Sequence, residues 1–361
     1  MTAATDFTTP DAAAARTARR ERWHTRINRA AGTLDLLGFG WLVALLRMAA
    51  GDNVRQQGKE LWQQLGVPLL AIVLFLGAWA WLAPKVQTSL GALPGPVQVW
   101  QQAENLWADH LAERGKERAF HERQEKRNAA LLARDPNAEV RSRPYTGKPT
   151  FLDQIVTSLQ TVFTGFLFAT IVAVPLGVLS GLFVNFNAAI NPLVQIFKPV
   201  SPLAWLPLVT MVVSALYVSA DPLFPKSFLI SAVTVTLCSL WPTLINSAVG
   251  VASIDKDLIN VGRVLRLSWP KKIVKLVLPA SLPLIFTGLR LSLGVGWMVL
   301  IAAEMLAQNP GLGKFIWDMF QNGSAQTLAQ IMVAVFTIGT IGFLLDRSMV
   351  LLQRLVSYET T

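Results

Sequence analysis

Long stretches without any charged residue alternate with short, strongly charged ones along this chain. No Asp, Glu, Lys or Arg falls between Asp153 and Lys198, between Lys198 and Asp221, between Lys226 and Asp255, or between Asp318 and Asp346. A shorter run of the same kind separates Arg290 from Glu304. A helix needs roughly 20 mostly apolar residues to cross the hydrocarbon of a bilayer. The pattern therefore predicts an all-α membrane protein with six transmembrane helices, at about 66–83, 160–184, 203–220, 228–249, 283–306 and 326–348. Gly and Pro recur inside these segments (Pro175, Gly177, Gly181, Pro207, Pro242, Gly294, Gly296). Membrane helices tolerate both, and small residues let helices approach closely.

The remaining segments differ in character. Residues 1–65 combine a basic tail, carrying Arg16, Arg19, Arg20, Arg22, Arg26 and Arg29, with an apolar stretch from Leu36 to Leu46. That stretch is short for a span and is expected to lie at the membrane surface, with Trp41 at headgroup depth; an additional span is the competing reading. Residues 84–150 interrupt the membrane pattern after the span at 66–83. Within them Glu104 to Arg143 is rich in both charge signs, which predicts a solvated, partly helical insertion or a helix that meets a partner. Residues 151–355 hold the other five spans.

Composition narrows the class. Hydrophobic residues make up 52% of the 361 positions and charged ones 15%, against roughly 25% charged in a soluble domain, so an ordinary soluble enzyme is excluded. The net charge of +10 would suggest nucleic acid on a soluble protein. Here Lys and Arg sit in tails and loops beside apolar runs, where retention of positive charge in the cytosol accounts for them, and nucleic acid is not an expected partner. The loop 250–275 carries Lys256, Arg263, Arg266, Lys271, Lys272 and Lys275, whereas 221–227 and 307–325 carry only Lys226 and Lys314. The first loop is expected inside and the other two outside, which puts both termini in the cytosol and the insertion 84–150 outside. The single cysteine, Cys238, and the three histidines, His24, His110 and His121, offer no metal-ligand spacing.

The segment 253–276 carries the most specific signal. Ser253 is placed to cap a helix with Asp255 and Asp257 in its first turn, and Leu258, Val261 and Leu265 share one face. Ser268 is placed to cap a second short helix with Pro270 at its start. Two short amphipathic helices at nearly a right angle, held between two spans, suit insertion into a groove on a cytosolic partner, and Gly262 is expected to sit close against that groove. The competing reading is a plain interfacial loop.

Here the chain resembles the membrane subunits of type I ABC importers. Their signature loop has Glu-Ala-Ala, three residues, Gly, nine residues, Ile, one residue and Leu-Pro. Leu278-Pro279 matches its end and Leu276 takes the Ile position. Asn260-Val261-Gly262 stand at the Glu-Ala-Ala positions and Arg266 at the Gly position, so the core triplet departs from the pattern. The run Asn260 to Ser268, with Phe286-Thr-Gly-Leu-Arg-Leu-Ser-Leu293, Ala302-Ala-Glu-Met-Leu306 and Pro199-Val-Ser-Pro-Leu-Ala-Trp-Leu-Pro207, is similar to the nitrate permease branch. That branch is close to bicarbonate permeases and more distant from taurine, alkanesulfonate and cyanate permeases. The resemblance covers about 65–355. The N-terminal extension and the insertion 104–143 are longer than the family pattern.

The resemblance implies the type I permease fold in a bacterial inner membrane and inward transport of nitrate or a related small oxyanion. Bicarbonate, cyanate or a sulfonate are the alternatives within the family. It implies a second permease copy, two ATP-binding cassette subunits that bind ATP and Mg²⁺, and an extracytoplasmic substrate-binding protein. This chain itself is expected to bind no cofactor and to be no enzyme; Gly311-Leu-Gly-Lys-Phe315 lacks the spacing of a phosphate loop. The coupling residues it implies are Asp257, Asn260, Val261, Gly262, Arg266, Ser268 and Pro279.

Arg290 and Glu304 are charges within one expected span. Such charges are costly in lipid and usually face a cavity or a partner. They are about 21 Å apart along a helix and fall on nearly one face with Gly294, Trp297 and Ile301. That face is the candidate substrate pathway, with Arg290 as the only cation in the spans. Arg290 bonded within the protein, and Glu304 pinning the loop at Asn309-Pro-Gly311, are the structural alternatives. An ion-coupled carrier would need acid–base chains or a filter across the membrane, and a membrane enzyme would need paired acids, His or Cys there. One Arg and one Glu are thin material for either.

Overall fold

The computed structural model describes residue 31, residues 40–49, 54–88, 91–135, 140, 142–218 and 222–356. The basic tail and the first part of the apolar stretch at 36–46 lie outside the described residues. The chain divides into two compact units, Met1–Leu82 and Ala83–Thr361.

In the first unit, α1 (Gly40–Ala49) has 10 residues, a length of about 15 Å at 1.5 Å per residue, half of what a crossing requires. Helix α2 (Val54–Leu61) passes through a π turn at Trp62–Gly66 into α3 (Val67–Leu82). Together Arg55–Lys85 is long and apolar enough to cross a membrane. The helix starts well before residue 66, because Arg55 to Gln64 contain no proline and a lone Gly58 is tolerated within a helix.

The second unit begins with a short hairpin, β1 (Gln87–Thr88) paired antiparallel to β2 (Gly91–Ala92). Next comes α4 (Pro96–Arg134), 39 residues long. Gly95 donates its N–H to Gln98 Oε1 at 2.9 Å and Pro96 opens the first turn, a well-capped start. The charged insertion is thus built on one long helix followed by a returning segment, and it belongs to the same compact unit as the spans that follow. Helix α4 packs against α13 and α5. The return segment is clamped onto it: Tyr145 Oη donates to Glu113 Oε1 at 2.7 Å, which holds the Glu113 carboxyl below its usual range. Arg114 Nη2 donates to Asp153 Oδ2 at 2.9 Å, joining α4 to the start of α5.

Helix α5 (Phe151–Leu182) opens on a capping box in which Thr150 and Asp153 satisfy each other's backbone N–H. Helix α8 (Lys226–Ala252) is the central element, packed along its length on α5 and on α11 (Leu278–Ala307). The contact is made by small residues. Gly165, Ala169, Ala173, Gly177 and Gly181 recur every fourth position of α5 and form one stripe facing α8. A Cβ at Gly177 would lie 2.6 Å from the carbonyl oxygen of Leu244, and one at Gly165 would lie 2.7 Å from that of Ala232. Thr236 Oγ1 donates to the Gly165 carbonyl at 3.0 Å across this interface. On the other side of α8, Thr243 N–H donates to Ser292 Oγ at 3.0 Å, one residue after Pro242, which lies inside the helix.

The expected span at 203–220 is a short helix that follows a sharp bend. Helix α6 (Val184–Phe197) and α7 (Pro202–Leu216) are separated by a bend of 103° at Lys198–Ser201. Alone, α7 has 15 residues, about 22 Å, and falls short of the hydrocarbon thickness. Pro199 and Pro202 account for the break, since proline cannot donate a helix bond and restricts the residue before it. Among the described residues five helices are long and apolar enough to cross, six if the bent pair is counted as one span. The chain closes with α12 (Leu312–Asn322) and α13 (Ala325–Val356).

Candidate coupling segment and substrate pathway

Between α8 and α11 the chain turns through α9 (Lys256–Val264). Ser253 does not cap this helix: its Oγ donates to the Gly250 carbonyl at 3.0 Å and finishes α8. Asp255 is the cap, accepting the Asp257 N–H at 2.9 Å, which places its charge at the positive end of α9. The second short helix expected at Ser268 is α10 (Trp269–Lys272), and it is not separate. It runs through a π turn at Ile273–Val277 into α11, so Trp269–Ala307 is one continuous helix. No breaker follows Pro270 until Pro279, which lies within the continuous rod, so nothing ends the helix.

Arg266 adopts φ 49°, in the left-handed region, and Leu267 N–H bonds back to the Gly262 carbonyl at 3.1 Å. This is the six-to-one bond of a helix stop that normally takes glycine, and Arg266 stands where the family pattern has Gly. A left-handed non-glycine residue costs about 1–2 kcal/mol. Arg266→Gly is therefore expected to raise stability by about 1 kcal/mol, seen as a higher unfolding temperature of the purified protein.

Gly262 faces inward: a Cβ there would lie 3.2 Å from Leu276 Cδ1 of the same chain. Its small size serves the corner between α9 and the root of α11, not an external groove as expected. Leu276 and Val277 bury with Val178 and Val251, and Trp269 stacks on Phe183 with centroids 5.9 Å apart. The outward face of α9 carries Leu258, Val261, Val264 (83% exposed) and Leu265 (64% exposed). Asp257, Asn260, Arg266, Ser268 and Pro279 are exposed as well. The segment therefore offers an apolar face with polar neighbours, on a short helix rooted in the longest rod of the bundle.

Along that rod the expected pathway face splits in two. Arg290 is half exposed and forms a fork-to-fork ion pair with Asp346 of α13, Nε donating to Oδ1 and Nη2 to Oδ2 at 2.8 Å. The pair borders a cavity of about 220 Å³ with Gly294, Trp297, Met298 and Gly342 on its walls. Gly294 meets nothing within 4 Å of a built Cβ, and Trp297 is fixed by its Nε1–H donating to the Ile338 carbonyl at 3.0 Å. Glu304 is fully buried. It accepts Ser158 Oγ at 2.8 Å and Gly313 N–H at 3.0 Å, while Ser158 Oγ accepts Leu312 N–H at 2.9 Å. Asn309 Nδ2 donates to Thr161 Oγ1 at 3.2 Å beside it. The carboxylate thus ties α5, the end of α11 and the start of α12 into one corner. The two residues share a helix face but not a neighbourhood, because α5 and α12 cover that face at Glu304 whereas Asp346 of α13 meets it at Arg290.

Two site residues escaped the residue pattern. Arg290 is not the only cation: Arg347 stands beside Asp346 inside the expected span 326–348, 5.2 Å over the Phe343 ring. The adjacent charges at 346 and 347, ten residues short of the end of an apolar helix, were the available signal for Asp346. Ser158 gave none, because a serine in an apolar run is ordinary.

The chain matches the family described as "Binding-protein-dependent transport system inner membrane component" over residues 151–358. It is 34% identical over 310 residues to the bicarbonate transport system permease protein CmpB of Synechococcus elongatus, covering 84% of this chain and 95% of that protein. It is 37% identical over 204 residues to the nitrate import permease protein NrtB of the same species, covering 56% of this chain and 69% of that protein. A solved chain of the MetNI methionine ABC transporter is similar over 57% of this chain and 95% of its own, with TM-score 0.49 and 16% identity. The apolar spans and the family match over residues 151–358, which hold every one of those spans but Arg55–Lys85, converge: the chain belongs to the binding-protein-dependent inner membrane components, the permease subunits of ABC importers, and is a transport component rather than an enzyme.

Proposed function

We propose that this permease carries nitrate or a closely related small oxyanion into the cell. The observation that supports this most directly is the Arg290 guanidinium, half exposed at a cavity beside open Gly294. Its planar fork suits a planar oxyanion bidentately. The nitrate permease NrtB is among the relatives. ATPase and substrate-binding partners go with the family; two permease copies and two ATPase subunits, each holding ATP and Mg²⁺, are the arrangement proposed here. Each ATPase takes the apolar face of α9. Because α10 and α11 are one rod, movement at α9 is carried to Arg290 and works the Arg290–Asp346 pair open or closed.

Bicarbonate is a second reading with its own support. Asp346 places a hydrogen-bond acceptor beside the Arg290 donors, and bicarbonate, unlike nitrate, has a hydroxyl to donate to it. The CmpB relative also covers more of this chain than NrtB does. Vesicles holding the permease, its ATPase and its binding protein decide: uptake of isotope-labelled nitrate that excess bicarbonate fails to suppress supports nitrate, and suppression by equimolar bicarbonate overturns it.

The basic loop containing α9 is placed in the cytosol, with both termini. In a Cys238→Ser background, a cysteine at exposed Val264 is expected to react with an impermeant maleimide in inside-out vesicles only. Reaction in intact cells removes both the orientation and the docking role of α9.

A further inference from the structure

Helix α4 presents three faces at about 100° per residue. One is packed: Val99 and Leu106 are buried against the bundle, and Gln330 Nε2 donates to Gln102 Oε1 at 3.3 Å. A second, with Gln98, Asn105 and Asp109, is polar and exposed. The third carries Val97, Trp100, Glu104, Trp107 and Leu111, spaced three and four apart. Here the large apolar groups stand in the open, with Val97 70%, Trp100 68%, Trp107 56% and Leu111 54% exposed. Exposed tryptophans in a row are not what a solvated insertion needs.

We propose that this stripe lies in the headgroup region of the bilayer, so that the first four turns of α4 form a membrane-surface helix bound to lipid. Five observations support lipid as the occupant. The helix starts eleven residues after Lys85, where the Arg55–Lys85 crossing ends. It lies against the beginnings of α5 and α13, two crossing helices, at the end of the bundle opposite the coupling segment. The stripe stops at Leu111: the next positions in its register are Arg114, Arg118, His121 and Glu125, so the remaining helix is built for water. Two heptads are also too few for a coiled coil with a second copy, which takes at least about three. Trp100 Nε1 donates to Glu104 Oε1 at 2.7 Å, leaving an apolar ring body with a polar edge, the form that settles at a membrane–water interface.

The charge pattern determines which force holds it. From Val86 to Glu113 there is no Lys or Arg. The attachment is therefore aromatic and apolar, independent of anionic lipid and of salt, unlike that of a basic amphipathic helix.

The full chain with Cys238→Ser tests this after reconstitution into phosphatidylcholine vesicles, with and without phosphatidylglycerol. Nitroxide labels are introduced singly at 97, 98, 105, 107, 109 and 111. Collision with oxygen relative to a water-soluble nickel chelate is expected to be several-fold higher at 97, 107 and 111 than at 98, 105 and 109, equally in both lipids. The doubly exposed variant Trp100→Gln/Trp107→Gln leaves the packed face intact and is expected to shift the label at 97 toward the nickel chelate. Equal nickel access at all positions, or spin–spin broadening at the stripe positions from a second copy, overturns the proposal.

Discussion

Arg290→Gln is expected to lower oxyanion uptake more than about tenfold, a loss of about 1.4 kcal/mol or more. Glutamine keeps two N–H donors on a shorter side chain but removes the charge that offsets the cost of moving an anion through a low-dielectric region. The ion pair complicates the comparison, since Asp346 is left without its partner. Asp346→Asn separates the two roles. If Arg290 serves the substrate, that variant frees its fork and retains transport, whereas Arg290→Gln/Asp346→Asn does not. Arg290→Lys is expected to recover only part of the rate, because an ammonium lacks the planar fork. Uptake in vesicles, with ATP hydrolysis measured alongside, checks all four. Equal losses from Asp346→Asn and Arg290→Gln would make the pair a brace between α11 and α13 and no more.

The second large effect lies in the helix contact. Gly177→Leu is expected to abolish recovery of folded permease. The first added carbon already meets Ser247 Cβ at 2.5 Å and the Leu244 carbonyl at 2.6 Å, so α5 and α8 must move apart. Overpacking costs about 1–3 kcal/mol where side chains yield, and here the obstacle is backbone. The control is Gly339→Ala on α13, where nothing lies within 4 Å and no loss is expected. Yield of monodisperse protein in detergent and its thermal unfolding are the measurements. A normally folded Gly177→Leu would show that the α5–α8 spacing is looser than the geometry requires.

Glu304 and Arg290 illustrate what a residue pattern says about a site. Both were legible as charges inside a span, and the fork geometry of Arg290 follows from its chemistry. Whether a charge meets water, lipid or another side chain depends on the elements that cover it, and Ser158 and Asp346 are each dozens of residues away in the chain. The coupling segment behaved in the same way. Its place between two spans, the helix at 256–264 and the role of Asp255 at its start are local. The inward turn of Gly262 onto Leu276, and the fusion of α10 with α11, depend on how the corner folds back.

By itself, the amino-acid sequence determined that this is a helical membrane protein, where most of its crossings lie, and where the short helix between two of them sits. These are consequences of apolar run length, of proline and of capping residues, which act within a few turns of their own position. Only the tertiary structure decided that the charged insertion folds back onto the bundle, and that Arg290 is neutralised while Glu304 is enclosed. Those outcomes are set by contacts between segments far apart in the chain. A helical period specifies which residues share a face, and the neighbours that cover that face are specified only when the helices pack.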